Sequence, residues 1–244
     1  LFQVIECLAE NGPMGIMDLS AQLGFHKSTT HRLVTSLQYM GYIRQDEESL
    51  KYALSLKFLE IGGKILEQTN MASLVHPSLK KLSEQTGGTV HLVRREGTEA
   101  VYIDKVESTV SSIRMVSRVG SRIPLYCSGV GKALLAELPD PEIEDIWNSS
   151  EITSLTPYTV TSLSDLMDRI RGVREAGYAM DDEENEEGVR CIAVSIPDYH
   201  KEPVYALSIS APVSRMTDAR IAELSTDVLT FKKDLEKTLG FSRS

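Results

Sequence analysis

A run of polar side chains near the start of the chain has the types and spacing needed to bind DNA. Hydroxyl, imidazole, ammonium and guanidinium groups can bond phosphate oxygens or base edges. From Leu19 to Gln45 the chain carries no Asp or Glu. This stretch therefore predicts a locally basic surface, whose candidate DNA-binding residues are Lys27, Ser28, Thr29, His31, Arg32, Thr35, Ser36 and Arg44.

Helical periodicity places most of these polar side chains on one face of a helix that begins near Lys27. The opposite, apolar face repeats at i, i+3, i+4 and i+7 and consists of Thr30, Leu33, Val34 and Leu37. A shorter helix is predicted at about 17–23, and Gly24-Phe25-His26 forms the turn between the two. Two helices joined by a short glycine turn form a helix-turn-helix.

A β-hairpin is predicted directly after these helices. Residues 42–45 and 50–54 are strand-like runs on either side of Asp46-Glu47-Glu48-Ser49, which is typical of the wing of a winged helix-turn-helix. The wing tip is acidic, so we do not expect it deep in a minor groove, where phosphates would repel it. The alternative is a three-helix packing module with a solvated polar face.

A second group of candidate residues begins at Ser128-Gly129-Val130-Gly131, before a helix predicted at 131–138. Free backbone N–H groups at a helix start can hold a carboxylate, although such a sequence can also be only a tight turn. It is not a Walker motif, because the spacing differs and Ala133 follows Lys132 where Ser or Thr is required.

Polar residues on the later predicted strands could line a binding pocket. Asp181 heads a run of six carboxylates in seven positions, and we expect residues 182–187 to form a solvated loop. Ser208 and Ser210 alternate on a strand and so face the same side. Cys127 and Cys191 could be thiol donors in a pocket or simply small buried hydrophobic residues.

The order of predicted elements indicates an α+β protein with two domains. Residues 1–55 form the winged helix-turn-helix, residues 56–71 a linker helix, and residues 72–244 an antiparallel sheet with covering helices. The sheet is predicted from strands at 89–93, 100–106, 112–116, 178–180, 190–196 and 204–210, with helices from 78, at 163–176 and at 217–239. Gly62-Gly63 in the linker is either a hinge or a site of close helix packing.

Bulk composition limits the partners. The net charge of −9 excludes a protein whose whole surface coats a polyanion, so DNA contact must be local. Three dispersed cysteines indicate a reducing compartment, and no apolar run is long enough to span a bilayer, so we expect a cytoplasmic protein without membrane contact. The start inside a helical run, without Met, suggests that residues precede Leu1.

The chain resembles the IclR family of bacterial transcriptional regulators over essentially its whole length. The resemblance rests on residues 124–136 (PLYCSGVGKALLA), on 177–194 (GYAMDDEENEEGVRCIAV), and on 27–33 (KSTTHRL) in the third helix. Thr30 stands where the family more often has an aliphatic residue, which leaves a hydroxyl to satisfy. Residues 113–120 and Arg122 are most similar to the branch that represses pectin and keto-deoxygluconate breakdown, although Val130 and Ser195 depart from it.

The resemblance implies a GAF-like effector domain, dimers through the N-terminal part and tetramers through the effector domains. A dimer implies two operator half-sites about one helical turn, or a multiple, apart. By resemblance, the effector-binding residues are Met115, Ile123, Gly129, Val130, Asp181, Cys191, Ser208 and Ser210.

These features together predict a transcriptional regulator that is controlled by a small acidic metabolite such as a sugar acid or keto acid. We expect it to act as a repressor. The alternative is a GAF-like sensor that does not bind DNA. An enzyme is not expected, because the sequence has neither a G-x-S-x-G nor an H-E-x-x-H motif. Zinc on Cys127, Asp181 and Cys191 is chemically possible, but we expect neither metal nor cofactor.

Overall fold

The computed structural model describes residues 1–68, 71–108, 110, 116–198 and 202–239. The chain divides into two units, residues 1–70 and 71–244, each with its own apolar core. The sequence predicts three ranges, 1–55, 56–71 and 72–244. The exact boundaries of these ranges remain predictions.

The first unit is a winged helix-turn-helix, as predicted. Gly24 ends the second helix in the left-handed conformation, with φ of 67°, and this turns the chain sharply into the third. Ile43 pairs with Leu54 across the wing, and Tyr52 also exchanges backbone hydrogen bonds with Met14. Its elements are α1 (Phe2–Asn11), α2 (Ile16–Leu23), α3 (Lys27–Tyr39), β1 (Ile43–Gln45), β2 (Tyr52–Leu54) and α4 (Lys57–Gln68).

The second unit is built on a six-stranded antiparallel sheet with the strand order β5-β4-β3-β8-β7-β6. Its strands are β3 (Thr89–Glu96), β4 (Glu99–Val106), β5 (Arg122–Pro124), β6 (Ala179–Asp182), β7 (Val189–Ile196) and β8 (Tyr205–Pro212). Its helices are α5 (Met71–Thr86), α6 (Gly129–Leu135), α7 (Asp140–Asn148), α8 (Leu163–Ala176) and α9 (Asp218–Thr238). The predicted α+β class, with an antiparallel sheet covered by helices, is confirmed.

Helices cover both faces of this sheet. One face packs against α6, α7 and α8, and the other against α5 and α9. The central strand β8 is therefore buried on both sides, which explains its nearly continuous apolar sequence. Leu207 and Ile209 face α5 and α9, whereas Ala206 faces the α6 side. Ser208 and Ser210 interrupt the apolar pattern on that same side.

Several boundaries differ from the sequence prediction. α5 begins at Met71 rather than near Ser78 and runs through Pro77, and α7 and β5 were not predicted at all. The strand expected at 112–116 lies outside the described residues except for Val116, which is not in a strand. The sequence left open whether Gly62 serves a hinge or close helix packing. A Cβ atom at Gly62 would meet no described atom within 4 Å, so no described neighbour within the chain packs closely enough to require glycine there.

The short helix α6 lies almost wholly buried against the sheet. The Ser128 side chain caps it by accepting a hydrogen bond from the Gly131 amide at 3.1 Å, and its own hydroxyl donates to the Pro124 carbonyl oxygen. Gly131 touches the preceding turn so closely that a Cβ atom there would overlap the backbone of Leu125. Only glycine allows this approach.

A buried ion pair fastens the acidic segment 182–188 to α6. Lys132 Nζ contacts Glu184 Oε1, and each side chain is only 2% exposed. The hydroxyl groups of Thr156 and Thr159 donate to the backbone carbonyl oxygens of Glu183 and Glu184, at 2.7 and 2.6 Å. The expectation that residues 182–187 are all solvated is therefore wrong for Glu184. Its carboxylate can remain buried because the opposite charge of Lys132 beside it offsets the cost of removing it from water.

The close approach at Gly131 predicts a specific loss of stability. Gly131→Ala should lower the free energy of unfolding by about 1–3 kcal/mol or more, because the added methyl group forces backbone apart. Trp147 is the single tryptophan and packs against the α6 core, so its fluorescence during urea unfolding reports on this unit. Gly172→Ala in α8 is the matched control. Its new methyl group meets no atom within 4 Å, so better helix propensity should make it neutral or stabilising.

The ion pair generates a second prediction. Lys132→Met leaves the Glu184 carboxylate buried without a cation and should cost about 3–5 kcal/mol in the same unfolding experiment. Adding Glu184→Met should recover most of that loss, because a buried ion pair can be replaced by packed apolar side chains. A single variant that loses less than about 1 kcal/mol would show that the charge of Lys132 is not what holds Glu184.

Candidate functional site

Seven of the eight candidate DNA-binding residues lie on α3, and the eighth, Arg44, lies on β1 of the wing. The side chains of Lys27, Ser28, His31, Arg32, Thr35, Ser36 and Arg44 are exposed, and Thr29 is half-buried. Val34 and Leu37 on the opposite face enter the core of the first unit. Within the described part of the chain, neither Arg32 nor Lys27 forms an ion pair. Their charges are thus available to phosphate or base atoms.

The hydroxyl that the sequence placed on the buried side of α3 has a partner. Thr30 is fully buried, and its Oγ1 donates to the His26 carbonyl oxygen at 3.3 Å. This local bond to the carbonyl oxygen four residues earlier satisfies the hydroxyl group. At the wing tip Asp46, Glu47 and Glu48 are exposed. Two hydrogen bonds from Ser49 hold the pKa of Asp46 below its ordinary value, so the tip remains acidic.

The candidate effector residues surround a small cavity on the α6 side of the sheet. Of the predicted set, the cavity lining contains Ile123, Gly129, Val130, Cys191, Ser208 and Ser210. Met115 lies outside the described residues. The cavity has a volume of about 30 Å³, enough for one or two water molecules. A larger groove of about 550 Å³ lies between α5 and α9, but it contains none of the predicted residues.

Strand register brings the polar residues of this site together. Asp181 on β6 pairs with Cys191 on β7, and Cys191 pairs with Ser210 on β8. Ser208 in turn pairs with His91 on β3. Directly paired residues in neighbouring strands point to the same face. The four strands therefore contribute a continuous row of polar side chains to the α6 side.

Asp181 borders the cavity but does not line it. It is 4% exposed, and its Oδ1 accepts hydrogen bonds from the amides of Glu184 and Asn185, at 2.9 and 3.3 Å. Burial raises its pKa to about 7, an effect that the nearby Lys132 opposes and Glu184 increases. Its Oδ2 has no hydrogen-bond partner among the described residues. The carboxyl group therefore shapes the turn through one oxygen only.

His91 and Tyr102 are cavity residues that the sequence reasoning missed. His91 is 3% exposed, and its ring lies 5.1 Å from the ring of Tyr102. Burial lowers the pKa of His91 to about 3, with a smaller contribution from Lys105, so the imidazole is neutral. The available signal was a histidine in the middle of the apolar strand run Thr89–Val93.

The two cysteines at this site are unreactive in their present surroundings. Burial raises the pKa of Cys127 to about 12, and it also raises the pKa of Cys191. Thiols held protonated in this way are poor nucleophiles and poor metal ligands. Among the described residues no group of three His, Cys, Asp or Glu side chains is arranged to hold a metal ion.

The backbone amides of Gly129 and Val130 are open to the cavity. Ser128 takes up the Gly131 amide, whereas the Gly129 and Val130 amides have no acceptor within the described part of the chain. A Cβ atom at Gly129 would lie 3.4 Å from the backbone nitrogen of Asp181, which is an ordinary van der Waals distance, so α6 and β6 are close neighbours here. Two residues with unpaired backbone amides and the serines Ser208 and Ser210 thus line the same cavity.

Comparison with known proteins assigns both parts of the chain to one family. Residues 1–47 match the IclR helix-turn-helix domain, and residues 63–236 match the C-terminal domain of the bacterial transcriptional regulator IclR. No helix among the described residues is long and apolar enough to cross a membrane.

Characterised relatives extend the match to the whole chain. The acetate operon repressor of Salmonella typhimurium is 36% identical over 244 residues, covering 99% of this chain and 89% of that repressor. The regulator KdgR of Escherichia coli is 35% identical over 241 residues, covering 99% and 91%. These two identities differ too little to select a branch of the family, so the expected branch stays a prediction.

A solved structure agrees with the sequence comparisons. The IclR protein of Thermotoga maritima has a TM-score of 0.67 and 31% identity, and the match covers 98% of this chain and 96% of that one. Full-length agreement in sequence and fold confirms the resemblance seen in residues 27–33, 124–136 and 177–194. The chain belongs to the IclR family of bacterial transcriptional regulators.

Proposed function

We propose that this chain is a transcriptional repressor whose affinity for operator DNA is controlled by a small carboxylate-bearing metabolite. The observation that carries the proposal is the cavity in residues 71–244. It is lined by Gly129 and Val130, whose backbone amides have no acceptor among the described residues, and by the hydroxyl-bearing Ser208 and Ser210. The same chain has an exposed basic helix face. The members of the family are transcriptional regulators, which supports regulation rather than catalysis as the role of this cavity.

The electrostatics of the cavity suit a single anion. Lys132 and Glu184 neutralise each other, and a carboxyl group with a pKa of about 7 at Asp181 is partly protonated near neutral pH. A partly protonated Asp181 can donate a hydrogen bond to an effector oxygen instead of repelling it. The amides of Gly129 and Val130 would hold the carboxylate, and Asp181, Ser208 and Ser210 the polar end.

Effector binding requires the cavity to enlarge. Ligand cavities are typically about 300–1,000 Å³, whereas this one is about 30 Å³. Asn185 and Glu186 form one wall of the cavity and belong to the acidic segment. Both residues are half-exposed, so solvent already reaches this wall. Movement of that segment on binding would change the second unit, as effector control requires.

The proposed assembly is a homodimer or homotetramer that acts on operator DNA in the cytoplasm. Large apolar side chains are exposed in the first unit, including Phe2 at 78%, Leu56 at 78% and Tyr39 at 93%. Exposed apolar groups of this size are typical of surfaces that associate. A two-fold dimer would read a partly palindromic operator.

Arg32 is expected to contact DNA directly. Arg32→Ala should weaken operator binding by about 1–3 kcal/mol if the guanidinium reads a base. If the guanidinium contacts a phosphate instead, the substitution should reduce the slope of log affinity against log salt concentration by about one. Fluorescence anisotropy titrations at several salt concentrations separate the two cases. Arg169→Ala on α8 removes the same charge from an exposed site in the other unit and should have little effect. Unchanged affinity and salt dependence for Arg32→Ala would remove it from the interface.

Asp181 is expected to couple effector binding to DNA binding. A thermal-shift screen of sugar acids, keto acids and aromatic acids identifies the acid that stabilises the protein, since binding stabilises by RT ln(1 + [L]/Kd). That acid should change the operator affinity of the unaltered protein by about 5- to 150-fold. Asp181→Asn keeps an oxygen for the Glu184 and Asn185 amides and an N–H donor for the effector, so it should keep most of this response. Asp181→Ala removes both groups and should lose most of the response while DNA affinity without the acid is retained.

Asp182→Asn provides the matched control for this experiment. Asp182 is the next residue on β6, is exposed, and bonds Arg190 instead of bordering the cavity. It should respond to the acid as the unaltered protein does. A full response in Asp181→Ala would show that the effector binds elsewhere.

A further inference from the structure

We infer that the contact between His76 on α5 and Asp104 on β4 carries changes in the cavity to the start of α5, and from there toward the DNA-binding unit. The inference rests on the proposed function and specifies how the effector site acts on the rest of the chain. It starts from one extra residue in the strand β4.

The strand β4 contains a β-bulge at Ile103. Leu92 on β3 pairs with Asp104, and the next residue, Val93, pairs with Tyr102, so Ile103 has no partner of its own in this ladder. Without the extra residue, Tyr102 and Asp104 would occupy alternate positions and point to the same face. With it, Tyr102 lies on the α6 side and lines the cavity, whereas Asp104 points toward α5. The bulge thus joins the cavity wall to the opposite face of the sheet within three residues.

Asp104 bonds the first turns of α5 to the sheet. Its Oδ2 lies 2.8 Å from His76 Nδ1, and its side chain is only 14% exposed. A carboxylate can only accept hydrogen bonds, so the imidazole donates. The other oxygen, Oδ1, accepts from the backbone amide of Lys105 at 2.8 Å, which fixes the carboxylate to its own strand. A shift of β4 at the bulge therefore moves the acceptor of His76.

The sequence of α5 makes its first turns the part that such a shift can move. Pro77 follows His76 inside the helix and has no N–H, so it cannot donate to the carbonyl oxygen four residues earlier. The turns before it are therefore joined to the rest of α5 by fewer backbone bonds. α5 is the first element of the second unit, and the chain reaches it from α4 of the first unit through residues 69 and 70. A change at His76 consequently acts on the segment that leads to the DNA-binding unit.

Hydrogen–deuterium exchange of the full chain tests the inference without an effector, because a substitution can stand in for a change in the cavity. Tyr102→Leu removes the ring that lies 5.1 Å from the ring of His91 at the cavity wall. The readout is exchange at the amides of residues 75, 76 and 78–80, which in a helix bond to carbonyl oxygens of the first turns of α5. Tyr102→Leu should speed this exchange about threefold, or about 0.7 kcal/mol, which is within the range of partly exposed ion pairs.

Breaking the contact should remove that response. When His76→Phe is also present, Tyr102→Leu should change the exchange by less than about 1.5-fold, because coupled positions lose their interaction when the link between them is removed. Asp104→Ala should behave as His76→Phe does. His76→Asn keeps an N–H near the position of Nδ1 and should preserve the response.

Operator binding provides the second readout. In fluorescence anisotropy titrations, Tyr102→Leu should change operator affinity by about threefold or more, and the change should disappear when His76→Phe is added. Asp140→Ala is the matched control, because it breaks an ion pair with Arg174 that also joins two elements of the second unit, on the other face of the sheet. Both responses to Tyr102→Leu should persist in that control.

The outcomes separate this inference from the proposed function. An equal response with and without the His76–Asp104 contact would overturn the inference, and so would a response in α5 exchange with no change in operator affinity, although the result for Asp181→Ala could still stand. If Tyr102→Leu does not fold, as judged by Trp147 fluorescence, Ser208→Val changes the cavity from β8 and the same comparison decides. A response that depends on the contact, in a chain whose operator affinity no acid changes, would support the inference and reject the acidic effector.

Discussion

The buried ion pair between Lys132 and Glu184 is the contact on which the effector site depends. Removing a charge from water costs several kcal/mol, so neither side chain can stay buried without the other. The pair joins α6 to the acidic segment, and this contact sets the positions of Asn185 and Glu186 at the cavity wall. It also places Asp181 where burial raises its pKa, although Lys132 counteracts part of that rise. One electrostatic constraint thus fixes both the shape and the charge state of the site.

The cavity lies where a sheet covered on both faces becomes polar. Most of β7, β8 and the buried part of β3 (residues 89–93) is apolar because helices pack on each side. His91, Cys191, Ser208 and Ser210 break this pattern on one face, and they satisfy one another through hydrogen bonds. A buried polar cluster is stable only when its groups are paired, so a ligand must replace any bonds that it displaces. This requirement makes the cluster costly to disturb.

Charge is divided between the two units according to their partners. The chain as a whole carries a net charge of −9, yet α3 presents Lys27 and Arg32 on a face without acidic side chains. Local charge decides whether a surface can approach phosphates, whereas the net charge limits binding elsewhere on the molecule. Some acidic residues of the second unit serve its structure, as Asp182 shows by bonding Arg190. The exposed positive charges of α3 therefore give phosphates a local surface to approach.

The sequence by itself determined the features that follow from local periodicity. Helical spacing identified the two faces of α3, alternation placed Ser208 and Ser210 on one side, and family resemblance supplied Ile123, Gly129 and Val130. It could not reveal the pairing of His91 with Ser208, 117 positions apart, or of Lys132 with Glu184, 52 positions apart. The acidic run looked solvated because its neighbours in sequence are all acidic, and the cation that buries Glu184 belongs to a distant helix. Strand register and helix packing decided these contacts, because they depend on which distant segments share a core and leave no local pattern in the chain.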